Sequence, residues 1–363
     1  MTSLDDLPDD EPADIGLVYQ RLADIPARPI HWLWPQRLAR GKLSLIVGSP
    51  GLGKSQVCAS LTAVVSTGGQ WPVDRHHAEA GNVIILSAED DAPDTIRPRL
   101  EASGADLRRV YILQAVKQIQ ENGEDEIRTF NLLADVAKLA ALCEEIGDVA
   151  LVIIDPITAY MGATDSHKNA EVRSTLAPLQ DLAAKRGIAI LAVSHLTKAQ
   201  GVDALQRVQG SVAFAAAARA VWGVVKDKDD AARRLFLPLK NNLGTDTCGF
   251  AYRLESFVLE GTDPPIGTSH VMWETDSITT TADEAFGSVA RDYNEQSDLN
   301  EAREFLRETL RDGRQLQRQI EADAKGAGLS WGTIRRAQKE LKILPVRDGF
   351  GKDGKWYWQL PAD

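Results

Sequence analysis

The chain has 363 residues, 44% of them hydrophobic, so it is long enough for a sizeable core and predicts one large domain with a smaller one. No apolar stretch approaches the length of a membrane span, and the acidic start is unlike a signal peptide, so we expect a cytoplasmic protein without membrane contact. The net charge of −11 argues against a generally basic, nucleic-acid-binding surface, and the three cysteines, which fit no metal-binding pattern, are expected to be buried free thiols.

The first 28 residues form an acidic segment in which six acidic residues precede the first basic one. This composition predicts a disordered leader over residues 1–28. The segment that follows contains Trp32 and Trp34 and leads into the first strong strand pattern. Two interpretations are open for these tryptophans: they cap the sheet, or they stack on a nucleobase.

The most informative motif is a glycine-rich loop between a predicted strand, residues 43–47, and a predicted helix, residues 56–65. Its pattern, G-x-x-x-x-G-K-S, is typical of a loop whose backbone N–H groups and following helix surround the phosphates of a nucleotide. Lys54 would reach the β- and γ-phosphates and Ser55 would hold a metal ion, so we expect ATP and Mg²⁺ as cofactors. The nucleotide-binding loop consists of Gly48, Ser49, Pro50, Gly51, Leu52, Gly53, Lys54 and Ser55.

Apolar runs of strand length alternate with helix-like stretches from residue 41 to about residue 275. This alternation predicts an α/β fold with a mainly parallel twisted sheet covered by helices on both faces. The later runs follow one another without long helices between them, which predicts an antiparallel extension. The predicted strands are 43–47, 83–87, 110–113, 151–155, 188–194, 220–225 and 235–239, and the clearest predicted helices are 132–146 and 171–186.

Two predicted strands end in acidic residues that are candidates for ATP chemistry. Asp155 ends the run 151–155 and would hold the Mg²⁺ shell, because strand ends in such folds open onto the phosphate loop. Glu89 follows the run 83–87 and would position the attacking water. Asp90 and Asp91 are expected to cap the next helix. The alternative is that all these acids only cap turns or helices.

Three further polar residues adjoin predicted strands. His195 ends a strand and could hydrogen-bond the γ-phosphate, or it is an ordinary loop histidine. Arg219 stands among alanines and valines, where an unpaired buried guanidinium would be costly, so it should be paired or face a subunit boundary. At such a boundary it could stabilise transition-state charge on a neighbour's ATP, and Lys240 could serve similarly. The alternative for both is a purely structural role.

The ordered motifs resemble the RecA-like core of hexameric replicative helicases, most closely the plasmid RepA type and related AAA-family ATPases of mobile elements. The resemblance covers about residues 29–260. The matching pieces are residues 48–55, 87–90, 154–156, 194–195, 210–211 with Arg219, and 240–244.

The resemblance implies roles for individual residues. Glu89 is similar to the catalytic glutamate of the family, Asp155 to its Mg²⁺ aspartate and His195 to its γ-phosphate sensor. Arg219 resembles the arginine finger of the RepA type. The chain departs from the DnaB branch, which places its finger two residues beyond a lysine like Lys240, where this chain has an asparagine.

The resemblance also implies a homo-hexamer on single-stranded DNA, with replication or recombination proteins as possible partners. Loops lining its channel would be about residues 161–173 and 197–209. They offer few charges and almost no aromatic residues for stacking, so ordinary solvated loops are the alternative. Their basic residues are Lys168, Arg173, Lys198 and Arg207.

The C-terminal part predicts a separate module. Residues 29–275 would form the ATPase domain, residues 276–299 are polar and predict a linker, and residues 300–363 predict a winged helix from three short helices and two strands. Residues 296–363 carry a net charge of +2, so any DNA contact must be local. The candidates, on the predicted helix 331–341, are Arg335, Arg336 and Lys339. The alternative is a packing or oligomerisation module.

Together these patterns predict a Mg²⁺- and ATP-dependent DNA motor, a helicase or helicase-like ATPase that acts as a ring on single-stranded DNA. The alternative is an ATP-switched, DNA-bound regulator or a recombination-type ATPase that does not translocate.

Overall fold

The structure is a computed structural model that describes residues 19–119, 125–162, 164, 168–196, 205, 212–311, 313–348 and 355–361, with the backbone alone at 288–298. Two of the predicted DNA-contacting residues, Lys198 and Arg207, lie outside the described residues, as does most of the predicted leader.

The described chain contains sixteen strands and eight α-helices. The strands are β1 (Trp32–Trp34), β2 (Leu38–Ala39), β3 (Leu43–Gly48), β4 (Asn82–Ser87), β5 (Val110–Ile112), β6 (Val116–Ile119), β7 (Asp125–Arg128), β8 (Val149–Asp155), β9 (Ala189–His195), β10 (Ala220–Lys226), β11 (Arg233–Asn241), β12 (Phe250–Leu259), β13 (Ile266–Trp273), β14 (Gln315–Leu316), β15 (Val346–Asp348) and β16 (Lys355–Trp358). The helices are α1 (Lys54–Thr67), α2 (Arg97–Ala102), α3 (Val136–Ile146), α4 (Asn169–Arg186), α5 (Val212–Ala217), α6 (Ala282–Thr309), α7 (Gln317–Gly326) and α8 (Trp331–Glu340).

A nine-stranded sheet forms the centre of the molecule, in the order β13-β12-β11-β10-β3-β9-β8-β4-β5. The strands from β10 to β5 in this order are parallel to their neighbours, whereas β11, β12 and β13 extend the sheet with antiparallel pairings. The mainly parallel α/β fold predicted from the sequence is therefore confirmed, together with its antiparallel extension.

Helices cover both faces of this sheet, because its central strands present apolar side chains on both sides. In β3, Leu45 packs into the cluster that contains α3, α4 and α5, whereas the next residue, Ile46, packs into the cluster that contains α1 and α2. Continuous burial of this kind is characteristic of parallel strands between two helical layers. None of the helices in the described part of the chain has the length and apolar character needed to traverse a bilayer.

A cluster of aromatic side chains packs on the face of the sheet that α1 covers. Trp34 is only 1% exposed, and its ring stacks on Trp71 at a centroid distance of 5.2 Å and on Phe250 at 5.3 Å. The neighbouring rings of Trp222 and Phe236 stack at 4.8 Å. Trp34 is thus a core residue that caps the sheet rather than a base-stacking surface residue.

The predicted linker, residues 276–299, is mostly helical, because α6 begins at Ala282. A capping box starts the helix: Thr281 Oγ1 accepts a hydrogen bond from the N–H of Glu284, and the Glu284 carboxylate accepts one from the N–H of Thr281. Its polar composition predicted a linker, but the N-terminal part of the helix is held to the sheet by Phe286, which packs against Gly223. The domain boundaries themselves stay predictions.

The last turns of α6 pack with α7, α8 and a small sheet of order β14-β16-β15. This unit has its own core, in which Leu306, Ile320, Ile334 and Trp358 are buried. Of the three free cysteines, Cys58 and Cys143 are buried as expected, and Cys248 is only partly buried.

Replacing Trp34 by alanine should lower the free energy of unfolding by about 3–5 kcal/mol, because it removes the centre of the aromatic cluster. The measurement is chemical denaturation followed by circular dichroism. Trp356→Ala is the matched control, since Trp356 is 48% exposed and its loss should cost less than about 1 kcal/mol. Equal losses in the two variants would contradict the core role of Trp34.

Candidate nucleotide-binding site

The glycine-rich loop lies between β3 and α1, at the centre of the sheet. Gly48 must be a glycine because a Cβ there would lie 2.6 Å from the carbonyl oxygen of Val224 on β10. Gly53 has φ of 85°, in the left-handed region that favours glycine, and it directly precedes the first residue of α1. The loop can therefore turn sharply and direct the N-terminus of α1 toward a bound anion.

Lys54 lies inside the loop. Its side-chain Nζ donates hydrogen bonds to the carbonyl oxygens of Gly48 and Ser49, each at 3.0 Å, and lies 3.2 Å from His195 Nδ1. Burial lowers the pKa of Lys54, and the nearby carboxylates of Asp155 and Glu89 oppose this shift. The ammonium is thus held where negative phosphate oxygens would be stabilised.

His195 connects Lys54 to Glu89. Gly48 and His195 are paired residues at the ends of β3 and β9. The Nδ1 atom of His195 faces the Lys54 Nζ at 3.2 Å, and the Nε2 atom on the other side of the ring lies 3.5 Å from Glu89 Oε1. The Glu89 side chain is 61% exposed, so its carboxylate is accessible to water beside the loop.

Asp155 lies at the end of β8, paired with Ser87 of β4. Burial raises the pKa of its carboxyl group, and a hydrogen bond from Ser55 counteracts this rise. A hydroxyl and a desolvated carboxylate are hard oxygen donors of the kind that Mg²⁺ takes beside phosphate, so Ser55 and Asp155 fit the role of metal ligands. Among the described residues, no group of three or more acidic, histidine or cysteine side chains forms a self-sufficient metal site.

The acids next to Glu89 have different partners. Asp91 accepts a hydrogen bond from the N–H of Ala92 and caps the helical turn Ala92–Ile96, as expected. Asp90 does not cap it; its carboxylate forms an ion pair with Arg99 of α2 at 2.5 Å. The expectation for Asp90 is corrected, because a guanidinium from the next helix competes with the backbone for this carboxylate.

Arg219 lies at the amino-terminal ends of the parallel strands, opposite the carboxyl ends where the phosphate loop lies. β10 runs parallel to β3, with Ala220 beside Ser44 and Val224 beside Gly48, so Arg219 is level with the start of β3. Its backbone N–H donates to the carbonyl of Leu43 at 2.8 Å, and its side chain is exposed. Arg219 therefore lies at the far end of β3 from the phosphate loop of its own chain.

Lys240 is at the same far edge and has a structural role. Its Nζ donates hydrogen bonds to the carbonyl oxygens of Ala215 and Ala218 at 2.9 Å and of Ala216 at 3.3 Å. These carbonyls lie at or just beyond the C-terminal end of α5, where a cation is favourable. Burial and the nearby charge of Arg219 lower the pKa of Lys240. Within this chain, Lys240 therefore has the structural role that was the alternative to a catalytic one.

The described DNA candidates fall into two groups. Lys168, the residue before α4, pairs with Glu171 at 3.0 Å, and Arg173 is exposed on α4. On α8, Arg336 and Lys339 are exposed. The third candidate on this helix differs, because the Arg335 guanidinium lies over the rings of Trp331 and Trp358, at 5.6 Å and 5.4 Å from their centroids.

Sequence reasoning missed a contact from a distant strand to the phosphate loop. The Tyr252 hydroxyl donates a hydrogen bond to the carbonyl oxygen of Leu52 at 2.9 Å, and both residues are buried. No local pattern around Tyr252 distinguishes it from other aromatic strand residues.

Comparison with known proteins gives an independent identification. A family model described as an AAA domain matches residues 11–201, which is more than half of the chain. The matched range contains the phosphate loop, Glu89, Asp155 and His195 and ends before α5. No curated protein was found to match the chain. With this match and the phosphate loop in its parallel sheet, the chain belongs to the AAA domain family of P-loop ATPases.

Proposed function

We propose that this ATPase is a Mg²⁺-dependent DNA motor of the replicative-helicase type, similar to the plasmid RepA helicases, which works as a homo-hexameric ring on single-stranded DNA. The observation that carries the proposal is the arrangement of charges at the two edges of the sheet. Lys54, Glu89, Asp155 and His195 converge at one edge, and Arg219 is exposed at the other. A ring of subunits would bring the second edge of one copy to the first edge of the next.

In the proposed mechanism each residue has one task. Lys54 stabilises negative charge on the transferred phosphoryl group, and the exposed carboxylate of Glu89 orients the attacking water. Mg²⁺, when held beside Ser55 and Asp155, neutralises charge on the phosphate oxygens. His195, between the Lys54 ammonium and the Glu89 carboxylate, would respond when the γ-phosphate leaves.

Arg219 would complete the site of a neighbouring subunit. Its exposed side chain and its position at the far end of β3 support a role in trans. The length of β3 separates Arg219 from the phosphate loop of its own chain, so it cannot reach a nucleotide bound there. Lys240 is less suited to this role because its ammonium already donates hydrogen bonds to carbonyl oxygens at the end of α5.

We further propose that the unit formed by the end of α6, α7, α8 and the small sheet is a winged helix that contacts DNA. Three helices and a short antiparallel sheet around one core support this fold. Lys339 is a stronger phosphate-contacting candidate than Arg335, because the guanidinium of Arg335 stacks on tryptophan rings. Arg336 is exposed on the same helix and stays a candidate.

Replacing Glu89 by glutamine should retain ATP binding and lower kcat by about 10²–10⁴-fold, because the variant cannot accept a proton from the attacking water. Single-turnover hydrolysis and equilibrium ATP binding measure the two effects. Asp90→Asn is the matched control, since it alters the adjacent acid, which is paired with Arg99, and should lose much less activity. A larger loss in Asp90→Asn would show that Asp90 is the catalytic acid.

Mixing subunits tests the trans role of Arg219. Arg219→Ala and Lys54→Ala should each be inactive alone, whereas mixed assemblies should regain part of the ATPase activity, because an intact loop can then meet an intact arginine. The measurement is the hydrolysis rate across mixing ratios, with mixed assembly verified by mass. Absence of rescue at every ratio in verified mixed assemblies would contradict the role of Arg219.

Two assays separate the motor from the non-translocating alternative. Single-stranded DNA should stimulate ATP hydrolysis, and the protein should displace a strand from a forked duplex in the presence of ATP and Mg²⁺. Stimulation without displacement would favour the ATP-switched regulator, and the absence of both would overturn the proposal.

Matched variants extend the DNA assay to the C-terminal unit. Lys339→Ala should weaken DNA binding and reduce the slope of log affinity against log salt by about 0.7–0.9, the effect of one lost phosphate contact. Lys325→Ala, which removes the same charge from an exposed position on α7, is the control. Equal effects of the two substitutions would contradict a specific role of α8.

A further inference from the structure

The β12–β13 hairpin extends beyond the sheet and lies across α1. β12 pairs with β13 from Tyr252 to Leu259 but with β11 only from Phe250 to Arg253. Two hydrogen bonds tie the hairpin to α1: Gln56 Nε2 donates to Ser269 Oγ at 2.8 Å, and Trp273 Nε1 donates to Ser60 Oγ at 3.0 Å. The hairpin is therefore fixed along the helix that follows the phosphate loop.

The same hairpin contacts the phosphate loop at one peptide group. Tyr252 is fully buried, and its hydroxyl donates to the carbonyl oxygen of Leu52 at 2.9 Å. Two residues further along β12, the Leu254 side chain packs against Gly53, where an added Cβ would lie only 3.0 Å from Leu254 Cδ1. The hairpin thus contacts both halves of the Leu52–Gly53 peptide.

The geometry of a trans peptide makes this contact relevant to nucleotide binding. The peptide is planar, and its C=O and N–H bonds point in opposite directions. When the Leu52 carbonyl is held by Tyr252, the N–H of Gly53 must point away from the hairpin. A buried carbonyl without a partner is costly, so the hydroxyl of Tyr252 strongly favours this one orientation.

We propose that Tyr252 is a positioning residue for the ATPase: it fixes the Leu52–Gly53 peptide so that the Gly53 N–H is already directed toward the phosphate. This inference rests on the proposed ATP binding by the loop. Tyr252 touches neither nucleotide nor metal in this role; it acts through the loop backbone, across 200 residues of sequence.

Tyr252→Phe tests the proposal because it removes the hydroxyl and keeps the ring that packs against Trp273 at 5.2 Å. The Kd for a fluorescent ATP analogue with Mg²⁺ and the KM for ATP should both rise about fivefold to tenfold, which is the effect of losing one hydrogen bond. The value of kcat should change by less than twofold, because the Gly53 N–H would contact the phosphate equally in the ground and transition states.

Ser60→Ala is the matched control. It removes the hydrogen bond from Trp273 to α1, a bond of the same hairpin that does not involve the loop. Its stability should fall about as much as that of Tyr252→Phe, with Kd unchanged. Hydrogen–deuterium exchange without nucleotide should show faster exchange in the peptide covering residues 50–56 for Tyr252→Phe only.

Three results would overturn the proposal. The first is an unchanged Kd in Tyr252→Phe, and the second is an equal rise of Kd in Ser60→Ala, which would indicate general loosening of the hairpin. The third is the absence of nucleotide binding by the unaltered chain, which would overturn the proposed ATPase as well. If Tyr252→Phe does not fold, Leu254→Ala, which removes the packing of the same hairpin on Gly53, should also raise Kd, and an unchanged Kd would then overturn the proposal.

Discussion

Parallel strands whose carboxyl ends meet at one edge of the sheet are the constraint on which the site depends. The adjacent strands β3, β9, β8 and β4 place the phosphate loop, His195, Asp155 and Glu89 beside one another, although they come from distant parts of the chain. The strands are buried on both faces, so their register is strongly specified. This register determines the short distances between Lys54, His195 and Glu89.

The same parallel arrangement separates the phosphate loop from Arg219, the arginine proposed to act on a neighbouring copy. Because β10 is parallel to β3, a residue that precedes β10 must lie at the edge away from the loop. Arg219 obeys this geometry, and its use in catalysis would require a second copy of the chain. Assembly and hydrolysis would then be coupled, since a single chain has the phosphate loop and the carboxylates at one end of its parallel strands and Arg219 at the other.

The antiparallel end of the sheet contributes to the site from the other side. The aromatic cluster around Trp34 anchors the base of β12, and the rest of the β12–β13 hairpin continues over α1 to the Leu52–Gly53 peptide. A loop of glycines is free to adopt many backbone conformations, and contacts from a rigid hairpin would reduce this freedom before nucleotide binds. The loop is thus contacted by both the parallel and the antiparallel parts of the sheet.

The phosphate loop, the parallel sheet and the acids at the strand ends could be predicted from the sequence because each is a local pattern: glycine spacing, continuous apolar runs and a polar residue at the end of a run. The partners of Asp90 and Lys240 could not, since an ion pair with Arg99 and a cap on α5 depend on which elements pack together. The helix in the predicted linker was not predicted because its residues are mostly polar, and only a capping box and one buried turn distinguish it from a linker. Sequence alone therefore determined which residues form the phosphate loop. Only the tertiary structure decided that the hydroxyl of Tyr252, far along the chain, donates a hydrogen bond to this loop. The physical reason is that hydrogen bonds between distant segments leave no periodic signal in the sequence.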